Sequence, residues 1–141
     1  MWIAIDEATE ENGCLKYIPG SHKDNRLMAH EVKPDADYTL NRELAKSEYD
    51  ESLAENLILP AGGMALHDVY IAHGSEENRS AKPRRGMTLR LMPTTSVYDR
   101  ELATRRHAER GGFDMSHHSV FLLRGKDVSG GNDFCVRTPP Q

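Results

Sequence analysis

The chain has 141 residues, 28% of them charged and 38% apolar, with 22 acids against 18 bases and a net charge of −4. That length fits one domain with a sizeable core, and the composition is that of a folding chain rather than a disordered one. With no basic stripe, nucleic acid is excluded as an expected partner, and no apolar run approaches the roughly 20 residues that a membrane helix needs.

Met1 to Ile5 reads as a strand already under way, with no turn or cap before it, as expected of an N-terminally incomplete fold. Asn12-Gly13 is a hairpin turn signal. Cys14–Ile18 is a second strand stopped by Pro19-Gly20, so the first 20 residues are expected to form a hairpin. Residues 28–56 carry eight acids and three bases. Leu40, Leu44 and Ala45 hint at a helical turn or two there. The stretch reads as an acidic, partly helical insertion: a solvated loop by its charge, or a flap over a pocket. Leu57–Leu59 is a short strand ended by Pro60-Ala61-Gly62-Gly63, and Met64–Ala72 resumes strand character.

His73 to Ser80 is a polar turn. In Arg85–Met92 one face carries Met87, Leu89 and Leu91, while Arg84, Gly86, Thr88 and Arg90 share the other. Residues 95–141 read as a C-terminal extension, with a helix over Asp99–Arg110 stopped by Gly111-Gly112 and a short strand at Val120–Leu123. Short strands with frequent turn residues predict a single all-β domain over 1–141 with minor helices, a sandwich or barrel.

Cys14 and Cys135 match no CxxC or zinc spacing, and Asp6, Glu7, Glu10 and Glu11 interrupt any leader-like apolar run. The expectation is a reduced, cytoplasmic setting. The seven His residues are more informative, because imidazole is the commonest metal ligand. His73 closes one strand and Arg84 opens the next eleven residues later, so an antiparallel pair can place them near each other. A non-haem iron(II) oxygenase needs two imidazoles and a carboxylate on one face of the metal. It also needs a cation that pairs bidentately with the far carboxylate of a 2-oxo acid, for which Arg is suited.

The segments from Trp2-Ile3-Ala4-Ile5-Asp6 through Gly13-Cys14 to Pro19-Gly20-Ser21-His22, then Pro60-Ala61-Gly62-Gly63 to His67, then His73-Gly74-Ser75 to Arg84, and last Leu123-Arg124-Gly125-Lys126-Asp127, follow one another in a recognisable order. In that order the chain resembles the phytanoyl-CoA dioxygenase family of Fe(II)- and 2-oxoglutarate-dependent oxygenases. The resemblance implies a double-stranded β-helix of the jelly-roll or cupin-like type, N-terminally incomplete. It implies His73 as the distal iron ligand, Arg84 as the 2-oxoglutarate cation with Ser75 as its hydroxyl partner, and Trp2 in the wall of the co-substrate pocket. Thr88 and Arg90, on the alternation face of Arg84, would line the same cavity by periodicity. Each has a plainer reading: Arg85 competes with Arg84, Trp2 is equally a core residue, and Ser75 and Asn78 make turn hydrogen bonds.

The family's other two ligands form a His-x-Asp pair before the Trp2 strand, and no residues stand there. His22 with Asp24 is the alternative pair, usable with His73 in a cupin-like register. His107 and Glu109 are spaced similarly in a polar helical stretch. His67 matches a histidine that the family does not use as a ligand, and the adjacent His117 and His118 would point to opposite faces of a strand.

The expected activity is hydroxylation of a small organic substrate with Fe(II), 2-oxoglutarate and ascorbate as an accessory reductant. The alternative is an inactive fragment or remnant β-sandwich acting as a carboxylate-binding or interaction module. Open sheet edges would favour a homodimer.

Overall fold

A computed structural model describes residues 1–32, 42–110 and 114–137. By its internal contacts the chain divides into two compact units, Met1–Arg90 and Leu91–Gln141. Among the described residues stand eight short strands and one α-helix: β1 (Trp2–Ala4), β2 (Leu15–Tyr17), β3 (His30–Val32), β4 (Arg42–Leu44), β5 (Glu55–Leu57), β6 (Met64–Ala65), β7 (His73–Ser75), β8 (Gly86–Thr88) and α1 (Arg100–Arg110). Among the described residues no helix is long and apolar enough to cross a membrane.

The first unit holds two three-stranded antiparallel sheets, ordered β6-β1-β8 and β5-β2-β7, and the separate pair β3-β4. The expected hairpin is corrected here. β1 and β2 belong to different sheets, because the intervening stretch is held by its own bonds rather than by a tight turn. Ala8 bridges Leu59, and the buried Asn12 side chain accepts from Thr9 N at 2.8 Å and donates to Glu7 O at 2.7 Å. Gly13 completes this turn with φ +76, where a side chain would also strike Glu76 O.

Registry sets the faces. Trp2 lies opposite Ala65 and Thr88, and Ala4 opposite Gly86, so these side chains share one face of the first sheet. On that face Trp2 and Ala4 are buried and join Ala8 and Cys14 in the core, with Leu15 and Leu59 against it, while Thr88 at the strand end is exposed. Leu15 is opposite Ser75 and Tyr17 opposite His73 in the second sheet. His73 and Ser75 therefore project to the side on which Leu15 meets the core.

Within 28–56 the expected helical turns are replaced by the β3-β4 pair and two single 3-10 turns at Lys46–Glu48 and Glu51–Leu53, before β5. Leu44 ends β4 and Ala45 follows it, while Leu40 lies outside the described residues. β7 begins at His73, so the histidine opens a strand rather than closing one.

In the second unit α1 matches the expected helix. Its start is capped by Asp99, whose carboxylate accepts from Leu102 N at 2.8 Å. Gly111 and Gly112 lie outside the described residues. No strand forms at Val120–Leu123, where Phe121, Leu122 and Leu123 are exposed and unpaired with any neighbouring strand among the described residues. Around the helix start, Asn132 accepts from Tyr98 N and donates to Ser96 O, enclosing one side of a hollow of about 460 Å³ between Tyr98, Arg100 and Asp133.

Candidate functional site

His73 is placed by β7, and β7 by its pairing to β2. The ring Nδ1 lies 2.8 Å from Ile71 O. A carbonyl can only accept, so Nδ1 carries the proton and Nε2 keeps its lone pair, the tautomer that a metal ligand needs. The run leading into β7 is held from the other side by Ser21, whose hydroxyl accepts from Ala72 N at 2.9 Å and donates to Ile18 O at 2.8 Å. The ring of His67 stands near, with 5.9 Å between ring centroids and a 50° tilt. Burial, and secondarily the neighbouring His73, push the His67 pKa down, which favours the neutral form of that second ring.

Arg84 stands just before β8. Its guanidinium reaches Ser75 Oγ at 3.5 Å, at the limit of a hydrogen bond. Its Nε is enclosed and has no hydrogen-bond partner. Among the described residues no carboxylate pairs with it. A buried donor left unsatisfied calls for an explanation, and a bound anion is one.

Arg85, its sequence competitor, is committed elsewhere. Asp6 takes its guanidinium bidentately at 2.7 and 2.8 Å and its backbone N–H at 2.8 Å. These bonds hold the Asp6 carboxyl down to about 2. Ile5 N and Asp6 N both donate to Arg85 O, so the approach to β8 is clamped to β1 and Arg84 is presented next to it.

Trp2 is 9% exposed and its indole lies against the backbone of Gly86, where a β-carbon would come within 2.4 Å. It is a core residue by contact, and it shares the face of Thr88. Thr88 is exposed at the end of β8, and Arg90 lies beyond the strand, also exposed. Behind Leu15 the Cys14 thiol is buried, and desolvation pushes its pKa up.

The alternative metal residues do not assemble. Asp24 is exposed on the turn after Gly20, and the enclosed His22 Nδ1 has no partner. His107 and Glu109 are exposed on α1, and His117 Nε2 lies 3.8 Å from Asp114 Oδ2. Among the described residues no three His, Cys, Asp or Glu side chains gather in a way that could hold a metal ion. His73 is thus a single candidate ligand, and the described residues alone do not fit an iron ion. They fit a carboxylate: one guanidinium with uncommitted donors, a hydroxyl beside it, and an imidazole on the same strand as that hydroxyl.

Sequence reasoning missed two supporting residues. Ser21 lies in the Pro19-Gly20-Ser21-His22 turn, whose sequence was the available signal. Asp6 meets Arg85 across 79 positions, and nothing local marks that pairing.

The model of the family described as "Phytanoyl-CoA dioxygenase (PhyH)" matches residues 1–86. The chain is similar to a "Phytanoyl-CoA dioxygenase domain-containing protein 1 homolog" of Caenorhabditis briggsae, 38% identical over 96 residues, covering 65% of this chain and 33% of that protein. It is similar to a "Phytanoyl-CoA dioxygenase" of Arabidopsis thaliana, 34% identical over 65% of this chain and 31% of that protein. A "Probable alpha-ketoglutarate-dependent hypophosphite dioxygenase" of Stutzerimonas stutzeri is 34% identical over 59% of this chain and 29% of that protein. Among solved structures, EvdO2 from Micromonospora carbonacea var. aurantiaca matches with a TM-score of 0.53 and 32% identity, covering 60% of this chain and 34% of that chain. The chain spans about a third of the length of the curated relatives it matches.

Proposed function

Since the chain belongs to the phytanoyl-CoA dioxygenase family, whose model matches it over residues 1–86, we propose that it is the distal-histidine part of an Fe(II)- and 2-oxoglutarate-dependent dioxygenase built on a double-stranded β-helix. The observation that carries this reading is Arg84: a guanidinium whose Nε is enclosed and without a partner, unpaired with any carboxylate among the described residues, beside Ser75 on the strand of His73.

In this reading Arg84 binds the far carboxylate of 2-oxoglutarate through its planar fork, and Ser75 Oγ donates to the same group. His73 offers Nε2 to iron, with the ring orientation fixed by Ile71 O. Trp2 closes the floor beneath the co-substrate and excludes water from it. Bound there with further ligands, Fe(II) would supply the oxygen chemistry of such an enzyme. The second imidazole and the carboxylate are not supplied by any cluster among the described residues. That observation favours a second reading, a carboxylate-binding module without iron chemistry.

Calorimetric titration of the chain with 2-oxoglutarate, with and without Fe(II), separates these readings. Under the first, Fe(II) strengthens binding and a metal-to-ligand absorption band appears. Under the second, binding is metal-independent and no band forms. In either case Arg84→Ala weakens binding by about 10- to 100-fold, the loss of a charge-assisted bidentate contact, and Arg85→Ala far less. Equal effects of the two substitutions would reject the assignment of Arg84.

A further inference from the structure

Beside His73 lies a hollow of about 120 Å³. Part of its wall is the run that leads into β7, with Val69 and Ile71. The rest comes from Arg26 and Leu27 and from the acidic insertion that follows them, with Met28 before β3 and Leu44 on β4. His30 and Leu44 are register partners across the β3-β4 pair, so both project to the same side of it, and both line the hollow. The walls are fixed by bonds on each side. Ala45 N donates to Ala29 O at 3.0 Å, Arg26 pairs with Glu48, and Ser21 Oγ holds Ala72 N.

The chemistry of the lining is one-sided. No Asp or Glu lines the hollow among the described residues. The polar groups that do line it are largely committed: Arg26 to Glu48, the His30 ring to Met28 O at 2.9 Å, and the His73 ring to Ile71 O. A cationic guest would find no carboxylate there, and an anionic one only Arg26, already paired with Glu48. A neutral apolar guest would meet Met28, Leu44, Val69 and Ile71.

The volume sets the size of that guest. It is about four times a water's share of liquid volume, roughly 30 Å³, and a little under the roughly 150 Å³ of an engineered apolar cavity that takes up benzene. We infer that this hollow seats the apolar, non-reacting part of the substrate, a neutral branched alkyl group or one small ring, and that Met28, Leu44 and Ile71 set its size. The assignment to substrate rests on the reading of His73 as an iron ligand. The acidic insertion is then a specificity element and not only a solvated loop. A methylene too many or too few in such a pocket changes selectivity by about 10- to 200-fold.

The test uses the whole chain with methyl-labelled Met, Leu, Ile and Val, titrated with cyclopentanol and, separately, with cyclopentylamine as its cationic analogue. Saturable methyl shifts confined to Met28, Leu44, Val69 and Ile71 are expected with cyclopentanol and not with the amine. Leu44→Trp fills the hollow from β4, and Val69→Trp fills it from an exposed rim position whose substitution the fold tolerates. Each should weaken cyclopentanol binding by about tenfold or more. Shifts elsewhere, an equal response to the amine, or undiminished binding in Val69→Trp would overturn the inference. Titration of the same chain with 2-oxoglutarate keeps the two readings apart. Failure of cyclopentanol with 2-oxoglutarate still bound condemns the hollow alone. Failure of 2-oxoglutarate with cyclopentanol still bound condemns the co-substrate reading and leaves the hollow as a site for apolar groups.

Discussion

Replacing Gly86 by Ala tests how closely Trp2 is packed against β8. A β-carbon there would lie 2.4 Å from two ring carbons of Trp2, against about 3.5–4.0 Å for carbons in contact. The indole would have to retreat by more than about 1 Å. It has little room to do so, because Ala4, Ala8 and Cys14 enclose it. Overpacking of this kind costs about 1–3 kcal/mol. Gly86 does not use a left-handed conformation, so alanine also restricts the unfolded chain and offsets about 0.4–1 kcal/mol. The expected net loss is about 1–2 kcal/mol. Trp2 is the one tryptophan of the chain, so its emission during urea unfolding reports the stability and the local displacement together. Gly74→Ala is the control, since nothing lies within 4 Å of a β-carbon at that position; its effect should stay within about 0.5 kcal/mol. An unchanged midpoint and emission maximum for Gly86→Ala would refute the close approach.

Asn12→Ala removes both side-chain bonds that hold the crossing between the two sheets, and should cost about 1–3 kcal/mol by urea unfolding; a loss under about 0.5 kcal/mol would show that the turn stands without it. The Asp6 carboxyl is lowered from 3.8 to about 2 by Arg85, so its contribution is fully present above the unfolded value and disappears as pH falls through the folded one. The difference in urea midpoint between wild type and Asp6→Asn should therefore hold steady at neutral pH and shrink between about pH 4 and pH 2; a pH-independent difference would count against the clamp. Cys135 is exposed while Cys14 is buried with its thiol pushed up. A thiol-directed chromogenic reagent should accordingly label one cysteine quickly and the second only on unfolding, and two equally fast phases would contradict the burial of Cys14.

Much of the site's neighbourhood was legible because it is written locally. Asn12-Gly13 marks a turn that the structure keeps, with Gly13 at φ +76. The segment strings around Trp2, Cys14 and His73 all fall on or beside strands β1, β2 and β7. What failed was pairing. β1 was expected to fold back on β2, yet its partners are β6 and β8, and only the side-chain bonds of Asn12 and the Ala8–Leu59 bridge explain the crossing. The insertion misled for a different reason. Glu31 and Glu43 face each other in the β3-β4 pair, a charge pattern that no alternation rule recognises as a strand. Phe121 to Leu123 supplied β-forming residues without a neighbouring strand to accept them, and local propensity did not prevail. Sequence spacing already preferred Arg84 to Arg85, but the pairing that occupies Arg85 was not legible, since it depends on Asp6, 79 positions away.

β1 is the middle strand of its sheet, and the amino terminus of Met1 donates to Leu89 O across 88 positions. During synthesis at about 5–20 residues per second, that stretch takes about 4–18 s to appear. For this interval Trp2 is on the nascent chain with its large apolar ring and no Gly86 to rest on. The first sheet is therefore a late closer: β1 must wait, shielded by a chaperone or by transient collapse, for β8. The residues that end the wait are the ones next to Arg84, so the floor, the clamp and the anion-binding cation would be completed in one event rather than assembled in turn.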